Sequence, residues 1–261
     1  PNGKKQVYDC YGSYWAGFTL SISDTMKSVL ENDYCAGCFA WSGFDSYGEP
    51  QPHSWPSVMS HWGFMDICGF LKDTAYLLKA WYKTELVAHL LPHWNWAKNQ
   101  SVKVSVFTNG DTAELYLNGK SLGAKQVSER RADWLVNYVE GVILVKVCRG
   151  NEVVYDEVKT ALNPHKILLE DVTPKYKTHD IRIINVSVVD KNGELVPNFN
   201  DIVTFSGETL TVLGVANGNP NGTQPNIATC VPCYNGRAQL ITTADSSEII
   251  ANCKGLIAGK I

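Results

Sequence analysis

Eight cysteines and six histidines are the side chains best suited to metal or nucleophilic chemistry in this 261-residue chain. Cys35-Ala-Gly-Cys38 and Cys230-Val-Pro-Cys233 each have the two-residue gap of a zinc-ligand pair. About 190 residues separate the pairs, against roughly 15–20 in a zinc ribbon. Cys35 and Cys38 also lie in an apolar run, residues 34–41, where a thiol behaves as a small hydrophobe. His89 and His93 have the i, i+4 spacing of a zinc helix, but Pro92 lies between them and no glutamate follows His89. The expectation is no metal and no cofactor. Two carboxylates, Asp45 and Glu49, stand with His53 on a Gly- and Pro-rich loop (residues 43–56) that directly follows Trp41. They offer hydrogen-bond acceptors to a ligand; the alternative is a turn aspartate and a solvated or ion-paired glutamate.

The elements that must position these residues fall into three segments. In residues 1–85, Ser23 or Asp24 is a suitable N-cap for a helix over 25–31. Residues 35–41 read as a fully buried strand, a short continuous apolar run with little alternation. Lys72 or Asp73 opens a second helix over 75–81. Helix, buried strand, long loop and helix is the rhythm of an α/β unit. Residues 86–165 change to short alternating strands, at 102–106 and 113–117, then across 134–147 and 153–160. Asn118-Gly119 between two such runs is the signature of a type I′ hairpin. Residues 166–261 repeat the pattern, with strands at 181–189, 202–205, 210–215 and 238–242 and Asn-Gly turns at 217–218 and 221–222. Each of the last two segments reads as an antiparallel sandwich.

Composition bounds the function. With 44% hydrophobic and 19% charged residues the chain can bury a core, and a formal net charge of −3 gives no basic field for nucleic acid. No apolar run reaches the roughly 18 residues needed to cross a bilayer. Three glycosylation sequons, at Asn99, Asn185 and Asn221, lean towards an extracytoplasmic setting. One buried strand and two helices cannot close a barrel by themselves, and the chain opens on Pro1 with a polar stretch behind it. The first segment is therefore expected to be cut from something longer.

The loop after the apolar run carries a resemblance. Phe39-Ala40-Trp41-Ser42-Gly43-Phe44-Asp45-Ser46-Tyr47-Gly48-Glu49-Pro50 is similar to the final barrel strand and loop of family-two glycoside hydrolases of the β-galactosidase type. The likeness continues through Trp55-Pro56-Ser57, Gly63-Phe64-Met65-Asp66 and Gly69-Phe70-Leu71-Lys72-Asp73. It runs on through His89-Leu90-Leu91-Pro92-His93-Trp94-Asn95-Trp96, the 115–123 hairpin, Val189-Asp190-Lys191-Asn192-Gly193 and Gly214-Val215-Ala216-Asn217-Gly218-Asn219-Pro220. It departs from the family at Ser46 and Cys38.

The resemblance implies a partial α/β segment (1–85, the C-terminal remnant of a TIM barrel), followed by a β-sandwich at 86–165 and an immunoglobulin-like β-sandwich at 166–261. It implies retaining hydrolysis of β-linked galactosides by two glutamates, both upstream of the Trp-containing strand. Glu31 is the only glutamate before Trp41 and sits in a predicted helix, so the chain is expected to lack both and to be inactive alone. Trp41 at the strand end becomes a sugar platform, with a core tryptophan as the plain alternative, and Asp45 and Glu49 become acceptors for sugar hydroxyls. The expected partners are a β-galactoside, the remainder of the parent enzyme and copies of the chain in a homo-oligomer, with no nucleic acid and no membrane. A competing reading is a non-catalytic carbohydrate-binding or structural tandem sandwich, which should expose a row of aromatics on one sandwich. Trp94 and Trp96 are expected in an interdomain seam, and the turns of the last segment need no calcium to explain them.

Overall fold

A computed structural model describes residues 8–12, 19–175 and 180–261. Helix α1 (Ile22–Leu30) is capped by Ser21, earlier than the sequence suggests. Ser21 Oγ accepts from Asp24 N–H (3.1 Å) and donates to the Asp24 carboxylate (2.6 Å). This reciprocal pair moves the cap back and leaves Asp24 in the first turn, where the helix dipole favours it. Helix α2 (Asp73–Tyr82) starts at Lys72 as expected, and buries Ala75, Leu77 and Ala80.

Residues 35–41 do not form the buried strand, so the α/β unit expected of residues 1–85 is not completed here. The run is irregular; Phe39 is fully exposed and Trp41 is 82% exposed. Among the described residues no strand flanks it. Without neighbours its amides have no ladder to join and its side chains have no cover.

Seven strands follow: β1 (Ala88–Leu91), β2 (Ser101–Thr108), β3 (Thr112–Leu117), β4 (Lys120–Gln126), β5 (Arg131–Asn137), β6 (Val142–Arg149) and β7 (Glu152–Lys159). They make two antiparallel sheets, β1-β2-β5 and β4-β3-β6-β7. The alternation read in the sequence sets the core: Val102, Val104 and Val106 pack with Leu115, Val145 and Val147. Asn118 and Gly119 both take positive φ (50° and 80°), which the type I′ turn requires. Asn109 ties this sandwich to the preceding segment. Its buried side chain donates to the carbonyls of Lys83 and Glu85 and accepts from Val87 N–H.

Eight strands complete the chain: β8 (Lys166–Asp171), β9 (Ile181–Val189), β10 (Ile202–Ser206), β11 (Val212–Ala216), β12 (Cys230–Pro232), β13 (Arg237–Thr243), β14 (Ile250–Asn252) and β15 (Gly259–Lys260). Sheets β11-β13-β9-β8 and β12-β10-β14-β15 enclose a second core around Ile184, Val186, Val203, Phe205 and Leu240. Asp190 is wholly buried in the turn after β9. Burial alone would raise its pKa, but backbone N–H groups of Leu162, Asn192 and Glu194 hold it below the usual carboxylate range.

Candidate functional site: the loop after Trp41

The chain from Trp41 to Lys72 folds back on itself through backbone pairing. Ser42 O and Gly43 O accept from Phe64 and Met65 N–H, and Met65 O accepts from Asp45 N–H (2.9 Å). Further along, Ser46 O accepts from Ser60 N–H and Val58 O accepts from Gly48 N–H, both at 2.8 Å. The two arms cross so closely at Gly63 that a Cβ there would lie 2.2 Å from Asp45 N and 2.5 Å from Met65 O. Only glycine fits that crossing.

Asp45 fills the centre of this fold. It is 5% exposed, and its carboxylate pairs with Lys72 Nζ (2.6 Å) and accepts from Gly63 N–H (2.9 Å). Burial raises its pKa and the Lys72 ammonium works against that. Lys72 also donates to His61 O (3.2 Å). It is available because it serves as the N-cap of α2 without any side-chain cap bond.

Beside this pair sits an aromatic cluster. The rings of Tyr8, His53 and His61 lie 4.8–5.1 Å apart, and His61 Nε2 shares a 2.9 Å hydrogen bond with buried Ser57 Oγ. Burial lowers the pKa of both imidazoles, that of His61 to about 4. Asp66 is raised by burial, although its carboxylate accepts from Cys68 and Phe70 N–H.

The three residues singled out in the sequence therefore have different surroundings. Trp41 is exposed, with a cis peptide to Ser42. Glu49 is exposed at a left-handed φ of 51°. Asp45 is buried and its acceptors are already engaged. Sequence reasoning missed Lys72, His61 and Tyr47. Lys72 is the one with a signal, a charged side chain at a helix start with no cap to make.

Exposed large aromatics gather on the first segment (Tyr34, Phe39, Trp41, Phe44, Tyr47, Trp55 and Tyr82), whereas on the sandwiches the exposed one among the described residues is Tyr155. This is not the aromatic row that a sandwich binding module would present.

Residues 169–261 match the model of glycoside hydrolase family 2 C-terminal domain 5, and residues 99–155 match a domain of unknown function. The beta-galactosidase BoGH2A of Bacteroides ovatus is 35% identical over 207 residues, covering 76% of this chain and 24% of that protein. The chain belongs to glycoside hydrolase family 2. A putative beta-glucuronidase of Formosa agariphila is 32% identical over 234 residues, covering 84% of this chain and 22% of that one. The structure of a beta-glycosidase from Bacteroides vulgatus superposes with a TM-score of 0.83 at 27% identity, over 92% of this chain and 32% of that one. The chain thus spans less than a quarter of the length of these two curated relatives.

Within this family-two chain the remaining candidates find structural partners. His89 Nε2 bonds Asp73 Oδ1 at 2.6 Å and its ring stacks on Tyr76, while His93 stacks on Trp96. Trp94 is 1% exposed in the core of the first sandwich rather than in an interdomain seam, its Nε1 donating to Val139 O. The eight cysteines are free thiols. Among the described residues no three His, Cys, Asp or Glu side chains converge as metal ligands. Asn185, one of the three sequon asparagines, lies within β9 with its side-chain oxygen accepting from Gln239.

Proposed function

We propose that this chain is the non-catalytic C-terminal region of a retaining family-two glycoside hydrolase that acts on β-linked galactosides. In this reading residues 1–85 close a TIM barrel whose other strands, with the acid/base and nucleophile glutamates, lie outside the chain. Residues 39–49 then form one wall of the sugar site, with Trp41 as its stacking platform. One observation carries the reading: an apolar, irregular run ends in a tryptophan left 82% exposed, and among the described residues no strand lies beside it to cover it. A protein does not spend an indole and a phenylalanine on open water without a partner for them.

The wall's own carboxylates fit a supporting role. A retaining pair needs two carboxyl groups about 5–5.5 Å apart and free to react, whereas on this wall Asp45 is held by Lys72, which leaves one exposed carboxylate, Glu49, rather than two. Charge favours a neutral sugar over a glucuronide, although relatives bear both names. Lys72 is the only lysine or arginine between residues 39 and 72, and Asp45 and His61 O already engage it. Among the described residues of this wall a uronate carboxylate would find no free lysine or arginine.

The test is a graft. The chain alone is expected to leave p-nitrophenyl β-D-galactopyranoside intact. Placed in the Bacteroides ovatus relative in exchange for the aligned stretch, it should support galactoside hydrolysis. Trp41→Ala in that chimaera should lower kcat/KM by about tenfold or more, the order of one stacking contact. Turnover by the isolated chain, or a chimaera that prefers the β-glucuronide, would refute the reading.

A further inference from the structure

The last sandwich reaches the loop after Trp41 at several independent points. Asn226 Nδ2 donates to Tyr47 OH at 2.7 Å, and Pro220 O accepts from Val58 N–H at 2.9 Å. Gly218, at a φ of 73°, lies so close to the loop that a Cβ would sit 2.0 Å from Asp66 Oδ2. Behind this contact Gln239 Nε2 donates to Cys68 O at 2.8 Å, and the Arg237 guanidinium covers the Phe70 ring at 4.9 Å.

The segment that makes the contact is itself tied down. Asn217 donates to Pro232 O and accepts from Asn219 N–H; Asn219 in turn accepts from Asn221 N–H through its side chain and from Gly222 N–H through its carbonyl. Asn226 O accepts from Val215 N–H on β11 at 2.6 Å. On the other side, Tyr47 and Val58 belong to the two paired arms of the loop, with Tyr47 opposite Met59. A self-bonded turn gripping a two-armed loop at both arms fixes the position of that loop.

We infer that the turn of residues 217–226 is a brace for the sugar-site wall, and that Asn226 is a positioning residue that presents Tyr47 to the bound galactoside. The inference rests on the wall reading given above. Tyr47 is 52% exposed, so about half of the residue remains accessible while its hydroxyl is oriented by the Asn226 amide. The last sandwich thus acts on substrate binding through Tyr47 and is more than a spacer.

Two measurements test this. In the 261-residue chain, Asn226→Ala should speed hydrogen–deuterium exchange in peptides spanning residues 44–60 by about tenfold, with β9 peptides unchanged. Asn226→Asp, whose carboxylate accepts from the Tyr47 hydroxyl where the amide donated to it, should restore the slow rate. Gly218→Ala, which forces the turn off Asp66, should also speed exchange in the loop. In the galactosidase chimaera, Asn226→Ala should raise KM about fivefold, the effect of one net hydrogen bond, with kcat within about twofold; Asn226→Asp should reverse it. Unchanged exchange in Asn226→Ala overturns the brace. Faster exchange with KM unmoved, or kcat falling in step with kcat/KM, overturns the role of Tyr47. An inactive chimaera would sink the wall reading and the role of Tyr47 with it, while exchange still decides whether the brace exists.

Discussion

Asp45 keeps a carboxylate where water scarcely reaches, and two partners make that tolerable: the Lys72 ammonium at 2.6 Å and the Gly63 N–H at 2.9 Å. Removing one member of such a pair leaves an uncompensated buried charge. Lys72→Met is therefore expected to cost about 3 kcal/mol of unfolding free energy, the range of a broken buried ion pair, measured by urea titration. The nearby imidazoles set a pH dependence. Burial lowers the pKa of His61 to about 4 and also lowers that of His53. The unfolded chain, with histidines near their ordinary value of about 6.5, then binds more protons than the folded one over that interval. Stability should fall as pH drops from about 6.5 towards about 4. The groups facing His61 are His53, Tyr8, Ser57 and, through the His61 carbonyl, Lys72. Asp45 and Asp66, raised by burial, act in the opposite sense at the acid end. His61→Gln should flatten the slope between pH 5 and 6.5 in thermal melts; an unchanged slope would place the dependence elsewhere.

At the scale of elements, the parts legible in the sequence are those whose signal is local. The alternation of 102–106 and 113–117 and the Asn118-Gly119 pair lead directly to β2, β3 and their hairpin, because period-two burial and left-handed φ are properties of neighbouring residues. Gly119→Ala meets open space but keeps a φ of 80°. It should cost about 1 kcal/mol in a denaturation series, through strain alone. Residues 35–41 show the opposite case. Their composition suits a covered strand, yet whether a strand is covered depends on neighbours far away in the chain. Asn109 was equally hidden, since a single asparagine gives no sign that it will hold Lys83, Glu85 and Val87. Asn109→Ala strands these buried backbone groups and should cost about 2–3 kcal/mol, visible as a lowered melting temperature.

For the whole molecule, the distribution of apolar surface is uneven. Two sandwiches close their cores, while Tyr34, Phe39, Trp41 and Trp55 remain open on the first segment. Exposed apolar side chains of this kind bind hydrophobic dyes and promote self-association. The double change Phe39→Ser with Trp41→Ser should reduce dye fluorescence by more than half while leaving the melting temperature within about 1–2 °C, because exposed side chains contribute little to stability. A large loss of stability would show that these residues are packed.

The sequence by itself determined the strand-rich architecture, the second helix, the hairpin and the family, since each is written in residue types at short, fixed spacings. It also singled out the loop after Trp41 as the candidate site. Which residues of that loop meet solvent was settled by tertiary structure. Asp45 turned inward because Lys72, 27 positions on, arrives from the start of α2 to neutralise it. Tyr47 gained a partner because Asn226 comes from the other end of the chain. Burial and pairing of this kind depend on three-dimensional neighbours, and no local pattern encodes who those neighbours will be.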